Sequence, residues 1–142
     1  MVEYINAKTK VKIICKKHGI FKQTPDSHLH TLGCRICKLS KGERELHYLL
    51  VNNKIEHIRE KKFVQCKDKR ALPFDFYLPE HKICIEYDGI QHFKIIDFFG
   101  EESFKQTQKH DEIKNEFCKK NGIKLIRIKY DENIEEKIKF LL

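Results

Sequence analysis

Two pairs of metal-type ligands constrain this chain most: Cys15-Lys-Lys-His18 and Cys34-Arg-Ile-Cys37, separated by 15 residues. A two-residue spacer lets both side chains of a tight turn converge on one tetrahedral ion. Two such pairs at this distance predict a structural Zn2+ site with a Cys3His ligand set. Gly19, beside His18, supplies the backbone freedom such a turn needs. A closed four-ligand site keeps no open position, so the ion is expected to be structural rather than catalytic. The bland alternative is two unrelated pairs of thiols. His28 and His30 lie between the pairs, where they either compete as ligands or face phosphate. Cys66, Cys84 and Cys118 have no partner at metal spacing and read as buried thiols.

The basic residues are distributed unevenly. The chain has 142 residues and a formal charge of +8, and its first 40 residues carry eight basic residues against Glu3 and Asp26. That leaves +6 on the leading segment and +2 on the rest. A concentrated basic patch suggests a polyanion, most often nucleic acid; the alternative is a lysine-rich composition that serves solubility. A segment of about 40 residues with few aliphatics needs a staple to fold, which the zinc site supplies. Ten Phe, five Tyr and many Ile exclude intrinsic disorder. No apolar run approaches the roughly 18 residues of a membrane span. The N-terminus does not read as a signal peptide, so a cytoplasmic location, with no membrane partner, is expected.

The composition shifts near residues 38–42, which predicts a zinc-ribbon module over 1–39 and a larger domain over 40–142. Residues 11–15 and 20–24 read as short strands, and 25–32 as a loop or one helical turn. Ser40 with Glu43 three residues on is a capping-box pattern opening a helix to about Val51. Residues 54–58 and 62–66 are candidate strands, while 72–78 and 83–88 are clear ones joined by the turn Pro-Glu-His-Lys. Residues 89–102 read as irregular, 103–120 as a helix stopped by Asn121-Gly122, 123–129 as a strand and 132–142 as a last helix. The order is a small ββ unit, then α-β-β-β-α-β-α.

Acids stand where apolar residues belong. At helical spacing Glu43 shares a stripe with Leu46, His47 and Leu50, so it is an inward-facing or edge carboxylate as well as a capping residue. Alternation puts Phe74, Phe76 and Leu78 on one strand face and Asp75 with Tyr77 on the other. In the next strand Ile83, Ile85 and Tyr87 share one face, and Cys84, Glu86 and Asp88 the other. A four-residue hairpin loop pairs Leu78 with Ile83, and the same register puts Asp75 opposite Glu86. Like charges so placed repel. No Lys or Arg falls on that face, so a divalent cation is the expected compensation; scattered charges on a solvated face are the alternative. His92 follows Asp88-Gly89 at the strand end, where it can act as a general acid or base. Asp111 and Lys114, one turn apart on the next helix, are either an ordinary ion pair or a further carboxylate and a phosphate-facing lysine.

The string LPFDFYLPEHKICIEYDGIQHF, with a preceding helix opening on SKGE and a following helix carrying HDEIK, resembles the PD-(D/E)xK nuclease superfamily. The nearer likeness is to the branch of very-short-patch repair endonucleases and EDxHD homing endonucleases. It covers residues 40–130, and the leading unit resembles the zinc ribbons of homing-type proteins. The resemblance implies an α/β restriction-endonuclease-like core, α-β-β-β-α-β, and a catalytic set of Glu43, Asp75, Glu86, His92 and Asp111. One departure stands out: the superfamily's lysine two residues after the strand glutamate is replaced by Asp88, which favours His92, or Lys114, in proton handling.

The expected function is a metal-dependent DNA endonuclease, acting as a monomer or a transient homodimer on DNA. Asp75 and Glu86, with Glu43, are expected to hold Mg2+ or Mn2+, and Gln91 and Lys114 to touch phosphate. The runner-up is a non-catalytic zinc-ribbon nucleic-acid-binding protein with a degenerate nuclease core.

Overall fold

The computed structural model describes residues 5–95 and 100–142. The reading of residues 1–4 as no leader, and of 96–99 as irregular, lies outside the described residues. The chain divides into two compact units, Met1–Arg44 and Glu45–Leu142.

The first unit is built on a hairpin. Strands β1 (Val11–Cys15) and β2 (Gly19–Gln23) pair antiparallel, with Cys15 opposite Gly19 and Ile13 opposite Phe21. Gly19 has φ +78°, a left-handed turn position that disfavours a side chain. A short helix α1 (Pro25–Ser27) follows, capped by the Thr24 hydroxyl, which accepts from Ser27 N–H. A helical turn over His28–Leu32 leads to the second ligand pair.

Helix α2 (Lys41–Asn52) opens with a reciprocal capping box. Ser40 N–H donates to Glu43 Oε2 at 2.9 Å, and Glu43 N–H donates to Ser40 Oγ at 3.2 Å. Two donors that the helix itself cannot pair are thereby satisfied.

The second unit is a mixed α/β layer structure. Its strands are β3 (Ile58–Lys67), β4 (Ala71–Leu78), β5 (Ile83–Asp88) and β6 (Lys124–Lys129), in sheet order β3-β4-β5-β6 among the described residues. The first three form an antiparallel meander, and β6 joins β5 in parallel after helix α3 (Gly100–Lys120). A parallel neighbour requires such a crossover. Helix α4 (Ile134–Ile138) follows β6, capped by the Asn133 side chain. Among the described residues no helix is long and apolar enough to cross a membrane.

Alternation along the strands divides the core between the sheet's two faces. On one, Phe76, Leu78, Ile83, Ile85, Ile126 and Ile128 meet Leu46 and Leu50 of α2 and Ile134 and Ile138 of α4. On the other, Cys66, Leu72, Phe74 and Cys84 meet Cys118 of α3, with Phe63 and Phe117 against them. Each buried Leu, Ile or Phe contributes about 1.5–3 kcal/mol relative to exposure.

Two expectations change. The candidate strands 54–58 and 62–66 are one strand starting at Ile58; the preceding turn has Lys54 at φ +56°. Its run of charges is that of an edge strand, exposed on alternate residues over most of its length. Phe74 does not share a face with Phe76 and Leu78 but joins the cluster under α3. The β4–β5 ladder runs from Leu78–Ile83 to Phe76–Ile85, so Phe74 lies past its last pair and is held by β3 alone, opposite Lys61; the change of face falls where Glu60, at φ +52°, interrupts the β3–β4 pairs.

Candidate functional site

The site forms where β5 lies under α3. Two residues along a strand advance about 6.6 Å, and three or four along a helix advance about 5 Å. Successive inward residues of the two elements therefore fall opposite one another. Cys84 neighbours Cys118, Glu86 takes Lys114, and at the end of the strand Asp88 lies near Asp111.

The predicted hairpin register is present, but Asp75 and Glu86 do not close a ladder pair. Their carboxylates take over from backbone carbonyls. Asp75 N–H donates to Glu86 Oε1 at 3.2 Å, and Tyr87 N–H donates to Asp75 Oδ2 at 2.8 Å. Each strand thus supplies a carboxylate to the other's amide, holding two acids side by side.

That face is not free of cations, contrary to expectation. Lys114 Nζ donates to Glu86 Oε2 at 2.8 Å. Arg127 Nη1 lies 2.9 and 3.1 Å from the two Asp88 oxygens and 3.3 Å from Asp111 Oδ1, while Nη2 donates to the Asp111 carbonyl. Both cations come from elements outside the β4–β5 hairpin, where strand-by-strand alternation does not look. The proposed Asp111–Lys114 ion pair gives way to these partners. Sequence alternation in the hairpin does not single out Arg127. Its signal is a cation that follows Ile123 and Leu125 on the inner parity of IKLIRIK, in register with Glu86.

His92 and Asp111 come together. The His92 Nδ1 atom is 2.8 Å from Asp111 Oδ2 and 3.7 Å from Asp88 Oδ1. The hydrogen bond that the ring donates to Asp111 raises the imidazole pKa against the opposing effect of burial. Burial by itself would raise Asp111, but the His92 hydrogen bond and Arg127 outweigh it and hold the carboxyl low. A carboxylate on Nδ1 fixes the ring and leaves Nε2 to exchange a proton.

Glu86 is 3% exposed, and its carboxyl is pushed up to about 7, first by burial and then by the Asp75 charge; Lys114 pulls it back only in part. Such a group changes charge near neutrality.

A further tie positions α3. Asp68, in the β3–β4 turn, accepts from Lys109 at 2.8 Å and Gln106 at 2.9 Å, with His110 at 3.3 Å. The Lys109 and Gln106 hydrogen bonds hold the Asp68 carboxyl down at about 2.

Two further predicted residues have other contacts. Glu43 is engaged in its capping box with Ser40. Gln91 is exposed, its amide folded over Gly89 where a Cβ would collide with it.

The first unit gathers its four predicted ligands. His18 Nδ1 lies 3.4 Å from Cys15 Sγ, 3.4 Å from Cys34 Sγ and 3.2 Å from Cys37 Sγ, and Cys15 and Cys37 sulfurs are 3.7 Å apart. A tetrahedron with Zn–S of about 2.3 Å and Zn–N of about 2.0–2.1 Å has edges of roughly 3.5–3.8 Å. The donors and their spacing fit zinc, and the cluster could bind it. Backbone N–H groups of Lys17 and His18 help lower the Cys15 thiol to about 6, while desolvation and the neighbouring sulfurs push Cys37 up to about 11.

A second group, Asp88, His92 and Asp111, also has ligand atoms close enough to hold a metal ion. Arg127 already lies against both of its carboxylates. A metal there would have to displace a guanidinium from a largely buried position.

Residues 1–38 match the family described as "Protein of unknown function (DUF723)". The chain is similar to "Uncharacterized protein 094L" of Frog virus 3 (isolate Goorha), 36% identical over 97 residues, covering 64% of this chain and 63% of that protein. It is also similar to "Uncharacterized protein 307L" of Invertebrate iridescent virus 6 and "Uncharacterized protein 033L" of Invertebrate iridescent virus 3. These are 39% and 36% identical over 61 residues, 42% of this chain and 31% of each of theirs. The chain thus spans less than two thirds of the length of these relatives. No solved structure matches it.

Proposed function

We propose that this chain is a metal-dependent DNA endonuclease whose chemistry resides in the α/β unit and whose basic N-terminal unit, stapled by Zn2+, grips DNA. The observation that carries this reading is the His92–Asp111 pair at the end of β5, beside the interlocked carboxylates Asp75 and Glu86. The arrangement agrees with the resemblance to PD-(D/E)xK nucleases of the EDxHD type.

Asp75 and Glu86 offer hard carboxylate oxygens, which suit Mg2+ or Mn2+. When bound, such an ion supplies Lewis acidity and a more acidic water. The chain's own groups do the rest. Asp111 orients His92, and His92 Nε2 takes a proton from the attacking water or returns one to the leaving oxygen. Lys114 keeps Glu86 in place and restores, from α3, the positive charge that is lost where Asp88 replaces the superfamily's lysine. Arg127 offsets one of the two charges of Asp88 and Asp111, so the approach of a phosphate is opposed by fewer net negative charges.

Incubation with supercoiled plasmid in Mg2+ or Mn2+ tests the reading. Wild type is expected to nick or linearise the DNA, and EDTA, Asp75→Ala and Glu86→Ala to abolish this. Equal behaviour of wild type and variants would defeat it. The internal pairing of Asp88 and Asp111 by Arg127 favours one second reading, a DNA-binding protein with a degenerate core. It predicts binding without cleavage in the same assay.

A further inference from the structure

The N-terminal unit holds a cavity of about 280 Å3 that adjoins the zinc cluster, since His18 and Cys34 are among its lining residues, and whose Phe21 and Gln23 side neither the cluster nor the catalytic reading uses. It lies beside β2, wholly within that unit, and Phe21, Gln23, Lys10, Lys22 and Arg35 are among the residues that line it. Its size falls just below the roughly 300–1,000 Å3 of small-molecule sites, which suits one flat ring system rather than an extended ligand.

Gln23 makes the cavity unusual. Its relative exposure is 6%, yet among the described residues its Nε2 has no hydrogen-bond partner. The other amide atom, Oε1, sits 3.3 Å from His28 Nδ1. Whichever way the amide is turned, one polar atom keeps His28 and the other is unanswered. A buried polar group without a partner destabilises the fold, so a group that answers it on binding gains correspondingly. The terminal amide torsion is soft, and the amide can turn toward a ligand edge at little cost.

The surroundings specify the ligand. Lys10, Lys22 and Arg35 are exposed cations at the rim. On the outer face of the hairpin Lys12 stands directly opposite Lys22, and Ile14 opposite Ile20, with the two isoleucines 75% and 67% exposed. Facing like charges repel unless an anion lies across them. A ring surface, an amide edge and flanking cations together match the base, edge and phosphates of a nucleotide in a strand.

We propose that this cavity takes a single unpaired nucleobase of a DNA strand, stacked on Phe21 and hydrogen-bonded by the Gln23 amide, with Lys10, Lys22 and Arg35 on the adjoining phosphates. This rests on the reading that the chain handles DNA, and it adds that the zinc unit distinguishes unpaired from paired DNA. An extrahelical base is accepted because it is already unstacked, whereas an intact duplex must first lose pairing and stacking.

The test is fluorescence anisotropy with the full, zinc-loaded chain and no added Mg2+ or Mn2+. The probes are an intact duplex, the same duplex with a one-nucleotide bulge, and the bulge carrying an abasic residue. The bulged base is expected to bind roughly tenfold tighter than the abasic bulge, the size of one base–aromatic stack. Gln23→Leu fills the position with an apolar group and removes the unanswered amide. It should narrow that gap while keeping duplex affinity, with thermal stability equal to or above that of wild type. Equal binding of base and abasic bulges would overturn the pocket and leave DNA handling intact. Binding to none of the probes would overturn the DNA reading itself.

Discussion

The two units are stabilised by different means. Before Glu45, Leu39 is the one buried apolar side chain among the described residues, and Gln23 the one buried polar side chain. From Glu45 onward, fifteen buried apolar side chains serve two clusters on opposite faces of one sheet. A unit without a core depends on its cross-link, whereas a unit with a core can hold charged groups against its sheet and still fold. This difference explains why metal ligands mark the first unit and why buried Glu86, Asp88 and Lys114 are tolerated in the second.

Loss of zinc from a cluster that could bind it gives the largest expected effect. Structural zinc contributes about 10–16 kcal/mol in small zinc modules. Cys34→Ser or a strong chelator should therefore unfold residues 5–44 and leave the α/β unit folded. Limited proteolysis with mass analysis checks this: cleavage should concentrate before residue 45. Uniform cleavage along the chain, or none, would erase the contrast between the units.

Next in size is the buried ion pair. Lys114→Met leaves Glu86 without its cation, and well above the Glu86 pKa, where the carboxyl is charged, removing one partner of a buried pair costs up to about 3–5 kcal/mol. The double variant Lys114→Met/Glu86→Gln should recover much of that loss, as read from urea midpoints. A single variant as stable as wild type would show that the pair contributes nothing to holding α3 on β5.

A smaller effect is the pH response of the second unit. Folding raises Glu86 from 4.5 to about 7. A group raised in the folded state stabilises most below its unfolded value, and that contribution drains away as pH rises through the folded one. The share of stability due to this group should fall between about 4.5 and 7, and Glu86→Gln should remove that part of the slope. Metal-dependent cleavage should move the opposite way, rising through about 7 as Glu86 ionises. The smallest effect is at the capping box, where Ser40→Ala should cost about 1 kcal/mol.

Much of this was legible because local rules decide it. The Pro79–Lys82 turn set the β4–β5 register, the two-residue spacers set the metal cluster, and Ser40 with Glu43 set the start of α2. Arg127 was not legible. In isolation IKLIRIK reads as a strand with a solvated arginine. The residue becomes internal only when β6 lies parallel to β5 and α3 covers the face they share. Lys114 depends on the same helix docking, since spacing alone pairs it equally well with Asp111. Tertiary neighbours, rather than propensity, decide both.

The central claim is that His92, held by Asp111, handles the proton in DNA cleavage. Cleavage rates of supercoiled plasmid by wild type and His92→Ala, at saturating Mg2+ or Mn2+ and matched DNA binding, test it most directly. General acid–base groups contribute about 100- to 10,000-fold, so the variant should fall by at least about 100-fold while still binding. Equal rates in the two proteins, or cleavage by neither, would contradict it.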